Sequence, residues 1–288
     1  MSDTAVTFVG IGAIGLPMAR RLVDAGHRTT GVDRLPAAIE KAAWAGVPAV
    51  GSLGEAPRAE FVVAMVATPE QLDALVTEAL AEEVTGQRWI VMSTVGPDSV
   101  RAQAARLTGA GATLIDVPVT GGVARARTGE LTLFASGPPA DIAAARPVLD
   151  TFGVVREVGD EVGSGQAIKI VNQHLCAIHI VAAAEALALA GSLGLDQRQV
   201  LSLVEQGAAG SFMLSDRGPR MLQGTDVDVA SAIGIFVKDS GLVAEAARSA
   251  AAETPLLDVA RARYEQAAEA GLAAHDDSRV IETYPVGP

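Results

Sequence analysis

The chain has 288 residues, 49% of them hydrophobic but only 3% aromatic, so its core is built mainly from Ala, Val, Leu and Ile in one or two domains. Lys and Arg number 22 against 34 Asp and Glu, and the net charge of −12 argues against nucleic acid or an anionic membrane surface as a partner. The one cysteine, Cys176, excludes an intramolecular disulfide and fits a cytoplasmic protein. No basic segment or cleavage site precedes the first apolar run, so no signal peptide is expected. That run, residues 5–9, ends at Gly10 and predicts a buried strand. A helix is expected over 14–25, stopped by Gly26, then a strand over 28–33 and a helix from Pro36 to about Trp44. Apolar runs at 60–67, 89–93 and 113–119 predict further strands, with helices at 70–80 and 97–107 between them. Late strands follow at 131–136 and 154–158. This alternation predicts an α/β fold, a Rossmann-type, mostly parallel sheet with helices on both faces.

The pattern changes near Gly163. Residues 166–193 form one long helical stretch, and further helices are expected at 196–205, 240–252 and 256–270, with no strand among them. Lys169, Asn172, Gln173, His174, His179 and Glu185 interrupt the apolar run, which reads as a buried soluble helix and not a membrane span. We therefore expect a dinucleotide-binding domain over 1–162 and an all-helical domain over 163–288, opened by a long interdomain helix, with residues 284–288 frayed. Such a helix has little polar face and should be covered by other helices, including those of a second subunit.

Gly10-Ile11-Gly12-Ala13-Ile14-Gly15 has the spacing of a dinucleotide-binding turn between a strand and a helix. Gly10 permits the turn, Gly12 lets backbone approach a pyrophosphate, and Gly15 lets the helix pack on the strand. The helix N-terminus offers N–H donors and a positive dipole end. Asp33, 23 residues after Gly10, ends the second strand, where its carboxylate accepts bonds from the adenosine ribose and repels a 2′-phosphate. That favours NAD over NADP, although Arg34 next to it is able to attract the phosphate.

Three further segments carry a resemblance. Pro17-Met18 follows the glycines; Asp116-Val117-Pro118-Val119-Thr120-Gly121-Gly122 continues through Gly129 to Gly137; and Gly163-Ser164-Gly165-Gln166-Ala167-Ile168-Lys169-Ile170-Val171-Asn172-Gln173 opens the long helix. With Lys238-Asp239 late in the chain, they resemble the β-hydroxyacid dehydrogenase family over nearly the full length. Within the family the sequence is most similar to the L-threonate dehydrogenase subgroup, through residues 122–126, 209–213, 235–239 and 276–278. The resemblance implies an NAD-dependent dehydrogenase of a small hydroxy acid, assembled as a homodimer or homotetramer.

Oxidising an alcohol removes a hydride from carbon and a proton from oxygen, and the proton needs a positioned base. Lysine serves when burial and a nearby positive charge lower its pKa. The resemblance assigns that role to Lys169; residue type alone favours a lysine whose stem snorkels at a domain seam. Asn172 and Gln173 share a helical face with Lys169, where either amide could bind the substrate hydroxyl or orient the lysine. Thr120-Gly121-Gly122 follows a strand end and suits a carboxylate, or is an ordinary glycine turn. The resemblance places Thr94 near the nicotinamide and brings Lys238 and Asp239 to the active site; by type alone the latter are equally a surface ion pair. Val66 and Ala67 end another strand and should line the ribose side of the cofactor. His174 and His179 are five residues apart, which does not favour a shared metal, and no metal site is expected. Imine reductases share the architecture but usually lack the lysine, and a non-catalytic nucleotide sensor would have no use for it.

Overall fold

The computed structural model describes residues 4–285, and residues 1–3 and 286–288, including most of the stretch expected to fray, lie outside that range. The chain divides into two compact units, Met1–Lys169 and Ile170–Pro288.

The first unit alternates strand and helix. Its elements are β1 (Ala5–Val9), α1 (Gly15–Asp24), β2 (Arg28–Val32), α2 (Pro36–Trp44), β3 (Ala49–Val50), β4 (Phe61–Ala64), α3 (Pro69–Ala79), β5 (Arg88–Val91), α4 (Pro97–Gly109) and β6 (Thr113–Asp116). They continue with β7 (Val119–Thr120), α5 (Gly122–Thr128), β8 (Leu131–Ser136), α6 (Pro139–Leu149) and β9 (Gly153–Gly159). The sheet runs β3-β2-β1-β4-β5-β6-β8-β7, with β9 also on β8. Strands β1 to β6 pair in parallel; β8 meets β6 and β7 antiparallel and β9 parallel.

Successive side chains on a strand point to opposite faces, so a strand buried on both faces must be apolar throughout. Val6, Phe8, Phe61, Val63 and Ile90 pack on one side with Met18 and Leu22 of α1 and Ile142 and Val148 of α6. Val9, Val62, Ala64, Trp89 and Val91 pack on the other with Leu72 and Val76 of α3 and Val100 and Leu107 of α4. Two helical layers thus enclose the sheet. The chain winds to β2 on one side of β1 and to β4 on the other, so strand order reverses beside β1, the crevice where such sheets bind ligands.

The second unit is helical. It contains most of α7 (Ser164–Ser192), then α8 (Gln197–Val204), α9 (Phe212–Met221), α10 (Ile233–Ser249) and α11 (Pro255–Ala267). Ala177, Ile180, Ala184 and Leu187 form the inner face of α7 and meet Leu201, Leu214, Phe236 and Tyr264. Tyr264 stacks on Phe236 with ring centroids 5.1 Å apart and donates its hydroxyl to the Ala177 carbonyl at 3.0 Å. By length and composition α7 is apolar enough to cross a membrane, yet this face is the centre of the unit's core. Asp276 and Asp277, both buried, pair with Arg220 at 2.7 Å and Arg217 at 2.9 Å and so tie the C-terminal segment to α9.

The structure departs from the sequence expectation at identifiable residues. The run over 113–119 is not one strand: Pro118 has no N–H to donate, so β6 ends at Asp116 and β7 restarts at Val119 against β8. Helices α5, α6 and α9 were not foreseen, and α10 begins at Ile233, well before Ser240.

Candidate active site

The first three glycines fit their turn for separate reasons. Gly10 has φ +90°, and a Cβ there would lie 2.2 Å from the Met65 carbonyl oxygen, so the turn presses against the loop after β4. A Cβ on Gly15 would lie 1.9 Å from the Gly10 carbonyl oxygen, so α1 packs directly on the turn. Gly12 is exposed, and a Cβ there would meet nothing within 4 Å, so this side of the turn is open to close approach. Ala13 is exposed beside it and Ile11 is buried beneath. The N-cap of α1, Ile14, makes no side-chain capping bond, and the Leu16 N–H turns back to the Gly12 carbonyl at 3.0 Å, so the positive end of the helix dipole is what this turn offers an anion. These residues fit a dinucleotide pyrophosphate.

The ends of β2, β4 and β5 complete this edge. Asp33 is half-buried after β2, and its Oδ1 accepts the Leu35 N–H at 3.0 Å. Arg34 turns to Glu78 of α3 at 3.2 Å, while the other oxygen of Glu78 accepts the Leu53 N–H at 2.9 Å. Val66 donates its N–H to Ser93 Oγ at 2.8 Å, and Ser93 Oγ donates to the Ala64 carbonyl at 3.2 Å. The Ala67 N–H bonds to Gln71 Oε1 at 2.8 Å, and the Thr68 hydroxyl caps α3 at the Gln71 N–H. The loop after β4 is thereby fixed against the end of β5, one residue before half-buried Thr94.

A buried network binds the start of α7 to the same edge. Gln166 Oε1 accepts the N–H groups of Val95 at 2.9 Å and Gly96 at 3.0 Å. Gln166 Nε2 donates to the Ser93 carbonyl at 2.9 Å and to Asp116 Oδ1 at 2.8 Å. The backbone N–H of Gln166 donates to Asp116 Oδ2 at 2.8 Å, as does Ser136 Oγ at 3.2 Å, while Ser136 Oγ accepts the Gly165 N–H at 2.9 Å. Burial pushes the Asp116 carboxyl up to about 6, against the opposing pull of Gln166 and Ser136. Lys169 follows one turn later and is buried, at 7% exposure. Gly121 and Gly122 both have positive φ, +134° and +68°, and a Cβ on Gly122 would meet nothing within 4 Å. Gly122 therefore presents open backbone, whereas a Cβ on Gly121 would lie 2.9 Å from the Arg125 side chain.

In the second unit the other sequence-predicted residues form one hydrogen-bonded group. Asn172 Nδ2 donates to Gln173 Oε1 at 2.8 Å, and Gln173 Nε2 donates to Asp239 Oδ2 at 2.5 Å. Lys238 Nζ lies 2.6 Å from Asp239 Oδ1. Gln173 and Asp239 are buried, so this ion pair is not a solvated surface pair. His174 and His179 lie along α7 without a shared carboxylate, and among the described residues no group of three or more His, Cys, Asp and Glu side chains is placed to hold a metal. Four residues gained a place that sequence reasoning had not given them: Asp116, Ser136 and Gln166 in the buried network, and Glu78 beside Arg34. Asp116 and Gln166 stand in the motifs, but their partners lie 20 to 73 residues away and no local pattern reports them.

Comparison with known proteins gives the chain's relatives. Residues 5–163 match the NAD-binding domain of 6-phosphogluconate dehydrogenase, and residues 163–284 match the NAD-binding domain of NADP-dependent 3-hydroxyisobutyrate dehydrogenase. The chain is 36% identical to an L-threonate dehydrogenase of Cupriavidus necator, over 96% of this chain and 95% of that one. It is 34% identical to a 3-hydroxyisobutyrate dehydrogenase of Pseudomonas aeruginosa, over 90% of each. A crystal structure of a 3-hydroxyisobutyrate dehydrogenase from Salmonella typhimurium superimposes with a TM-score of 0.90 at 34% identity, covering 98% of this chain and 100% of that one.

Proposed function

The chain belongs to the β-hydroxyacid dehydrogenase family, a nicotinamide-dependent oxidoreductase acting on CH–OH, and from that premise we propose that it oxidises L-threonate with NAD. The observation that supports the substrate is coverage with identity: several L-threonate dehydrogenases match at 34–36% over 96–98% of the chain, against 34% over 90% for a 3-hydroxyisobutyrate dehydrogenase and 29% for an L-serine dehydrogenase. We place the protein in the cytoplasm, as a homodimer or homotetramer.

In this reading Gly10 to Gly15 and the first turn of α1 bind the pyrophosphate, and Asp33 accepts bonds from the adenosine ribose. Val66, Ala67 and Thr94 line the path toward the nicotinamide. When bound, the nicotinamide accepts the hydride that leaves the substrate carbon. Lys169 Nζ takes the proton from the substrate hydroxyl and returns it in the reverse direction. The turn Thr120-Gly121-Gly122, open at Gly122, binds the carboxylate through backbone N–H groups and the threonine hydroxyl. Asn172, Gln173, Lys238 and Asp239 act together: the polar chain fixes the amides that orient the substrate hydroxyls. Asp33 disfavours the 2′-phosphate of NADP, and Glu78 holds Arg34.

The test is a panel of 2-hydroxy, 3-hydroxy and 2,3-dihydroxy acids, run with NAD and NADP in parallel and read at the reduced-nicotinamide absorbance. L-Threonate with NAD should give the highest kcat/KM. Lys169→Ala should abolish turnover while calorimetry shows NAD affinity within about threefold of wild type. Full activity in that variant would remove lysine from the mechanism.

A further inference from the structure

Gln166 carries more hydrogen bonds than a buried core residue needs. A carboxamide has two donor hydrogens and an acceptor oxygen with two lone pairs. In Gln166 all four sites are used, by Val95 N–H, Gly96 N–H, the Ser93 carbonyl and Asp116 Oδ1. Flipping the amide would set its NH₂ against two N–H donors and its oxygen against a carbonyl and a carboxylate, so the network admits one orientation. The Gln166 main chain is held as well, through its N–H on Asp116 Oδ2, and the preceding Gly165 N–H is held by Ser136. Gly165 lets this happen: a Cβ there would lie 2.4 Å from the Phe134 carbonyl oxygen and 2.9 Å from Asp116 Oδ2. Buried Asp116, with its carboxylate at the N-terminus of α7, complements the helix dipole as well as its N–H groups.

Three strand ends, β5, β6 and β8, therefore grip one turn of one helix. We propose that Gln166 and Asp116 are positioning residues for the reaction: they lock the rotation and height of the first turn of α7 and so set Lys169, three residues on, against the Thr94 loop. The inference rests on Lys169 being the general acid/base. A helix about 10–12 Å across carries its side-chain tips through about 1 Å when it turns by roughly 10°. Misplacing a reacting group by about 1 Å costs on the order of 10²-fold in rate. A network that removes so small a rotation matters to the chemistry as well as to folding. The same amide holds Val95 and Gly96, directly after Thr94, so one side chain indexes both the helix and the loop.

The experiment compares Gln166→Met, Gln166→Glu and the double variant Gln166→Glu/Asp116→Asn with Lys169→Ala, on L-threonate or the best acid of the panel. Gln166→Met, close in volume and unable to make the four bonds, should lower kcat about 10- to 100-fold while KM and calorimetric NAD affinity stay within about threefold. Gln166→Glu sets two carboxylates face to face and should be at least as slow; Asp116→Asn then returns an N–H donor to that contact and should recover kcat about tenfold. A readout without substrate comes from the lysines, of which the chain has three, Lys41, Lys169 and Lys238. With ¹³C at lysine Cε, the Lys169 cross-peak, assigned by its loss in Lys169→Ala, should move in Gln166→Met while that of Lys41 stays in place. Wild-type kcat and an unmoved Lys169 signal in folded Gln166→Met would overturn the proposal, as would a double variant no faster than Gln166→Glu. An active Lys169→Ala would instead overturn the reading of Lys169, whatever the Gln166 variants do.

Discussion

At the scale of single residues, two carboxylates have roles that their neighbours define. Glu78 is held by the Leu53 N–H and faces Arg34, whose guanidinium is the one cationic group beside Asp33 in sequence. In the proposed reading Glu78 gives Arg34 a partner and adds a second negative charge that would oppose a 2′-phosphate. Glu78→Gln keeps an acceptor for Leu53 and deletes the charge. Ion pairs this exposed are worth about 0–1 kcal/mol, so the gain in affinity for NADP should be about two- to fivefold, with a smaller change for NAD. Titration calorimetry with NADP and NAD measures both, and an unchanged ratio would deny Glu78 a part in cofactor choice. Asp116 behaves differently because it is buried. Its carboxyl sits at about 6 in the folded chain, above the ordinary 3.8, so between those values the folded state holds a proton that the unfolded state has lost. The stability that this proton confers is present below about pH 4 and is lost as pH rises through 6. The difference in unfolding free energy between wild type and Asp116→Asn should therefore fall by a few kcal/mol from pH 4 to pH 6.5 and level off above, as urea titrations at each pH would show.

At the scale of elements, legibility followed how local the cause was. Elements β1, α1, β2 and α2 were readable because their signals, a both-faces-buried run, a glycine stop and a proline start, lie within the element itself. Helix α6 was hidden by Pro147 and α9 by Gly218 and Pro219, residues that normally break helices. Both are held by contacts from far along the chain: Ile142 and Val148 pack in the core of the sheet, and Arg217 and Arg220 reach Asp277 and Asp276. Lys169, Asn172, Gln173, Lys238 and Asp239 were legible as motif residues, but the chain of bonds joining the last four depends on α10 packing against α7 and was not. The Arg217 pair gives an element-scale prediction. Burial pushes the Asp277 carboxyl up against the pull of Arg217, so Arg217→Ala would strand a buried charge. Breaking a pair of this kind costs about 3–5 kcal/mol. Urea unfolding should register that loss, and a loss under about 1 kcal/mol would mean that Arg220 or water replaces the partner.

At the scale of the whole molecule, the outer face of α7 leaves a run of apolar side chains exposed. One face of this 29-residue helix is core, while Val171 at 60%, Leu175 at 48% and Leu189 at 57% exposure lie on its other side. Leu203 and Phe212 add exposed apolar surface in the same unit, at 71% and 60%. Water disfavours so much apolar surface along one element, and a second copy or a bilayer would each cover it. The bilayer is the weaker fit, because Lys169, Gln173 and Glu185 on the same helix would be costly in hydrocarbon. A homo-oligomer would cover the apolar side chains, while Lys169 and Gln173 are already buried within the chain and Glu185 accepts the Tyr284 hydroxyl at 3.1 Å. Light scattering coupled to size exclusion should therefore give two or four times the 29.4 kDa chain mass without detergent. Leu175→Glu combined with Leu189→Glu, both on the exposed side, should shift that mass toward the monomer while circular dichroism stays helical. A wild-type monomer at micromolar concentration would leave this face uncovered and refute the assembly, whereas protein recovered only with detergent would move the argument to the bilayer.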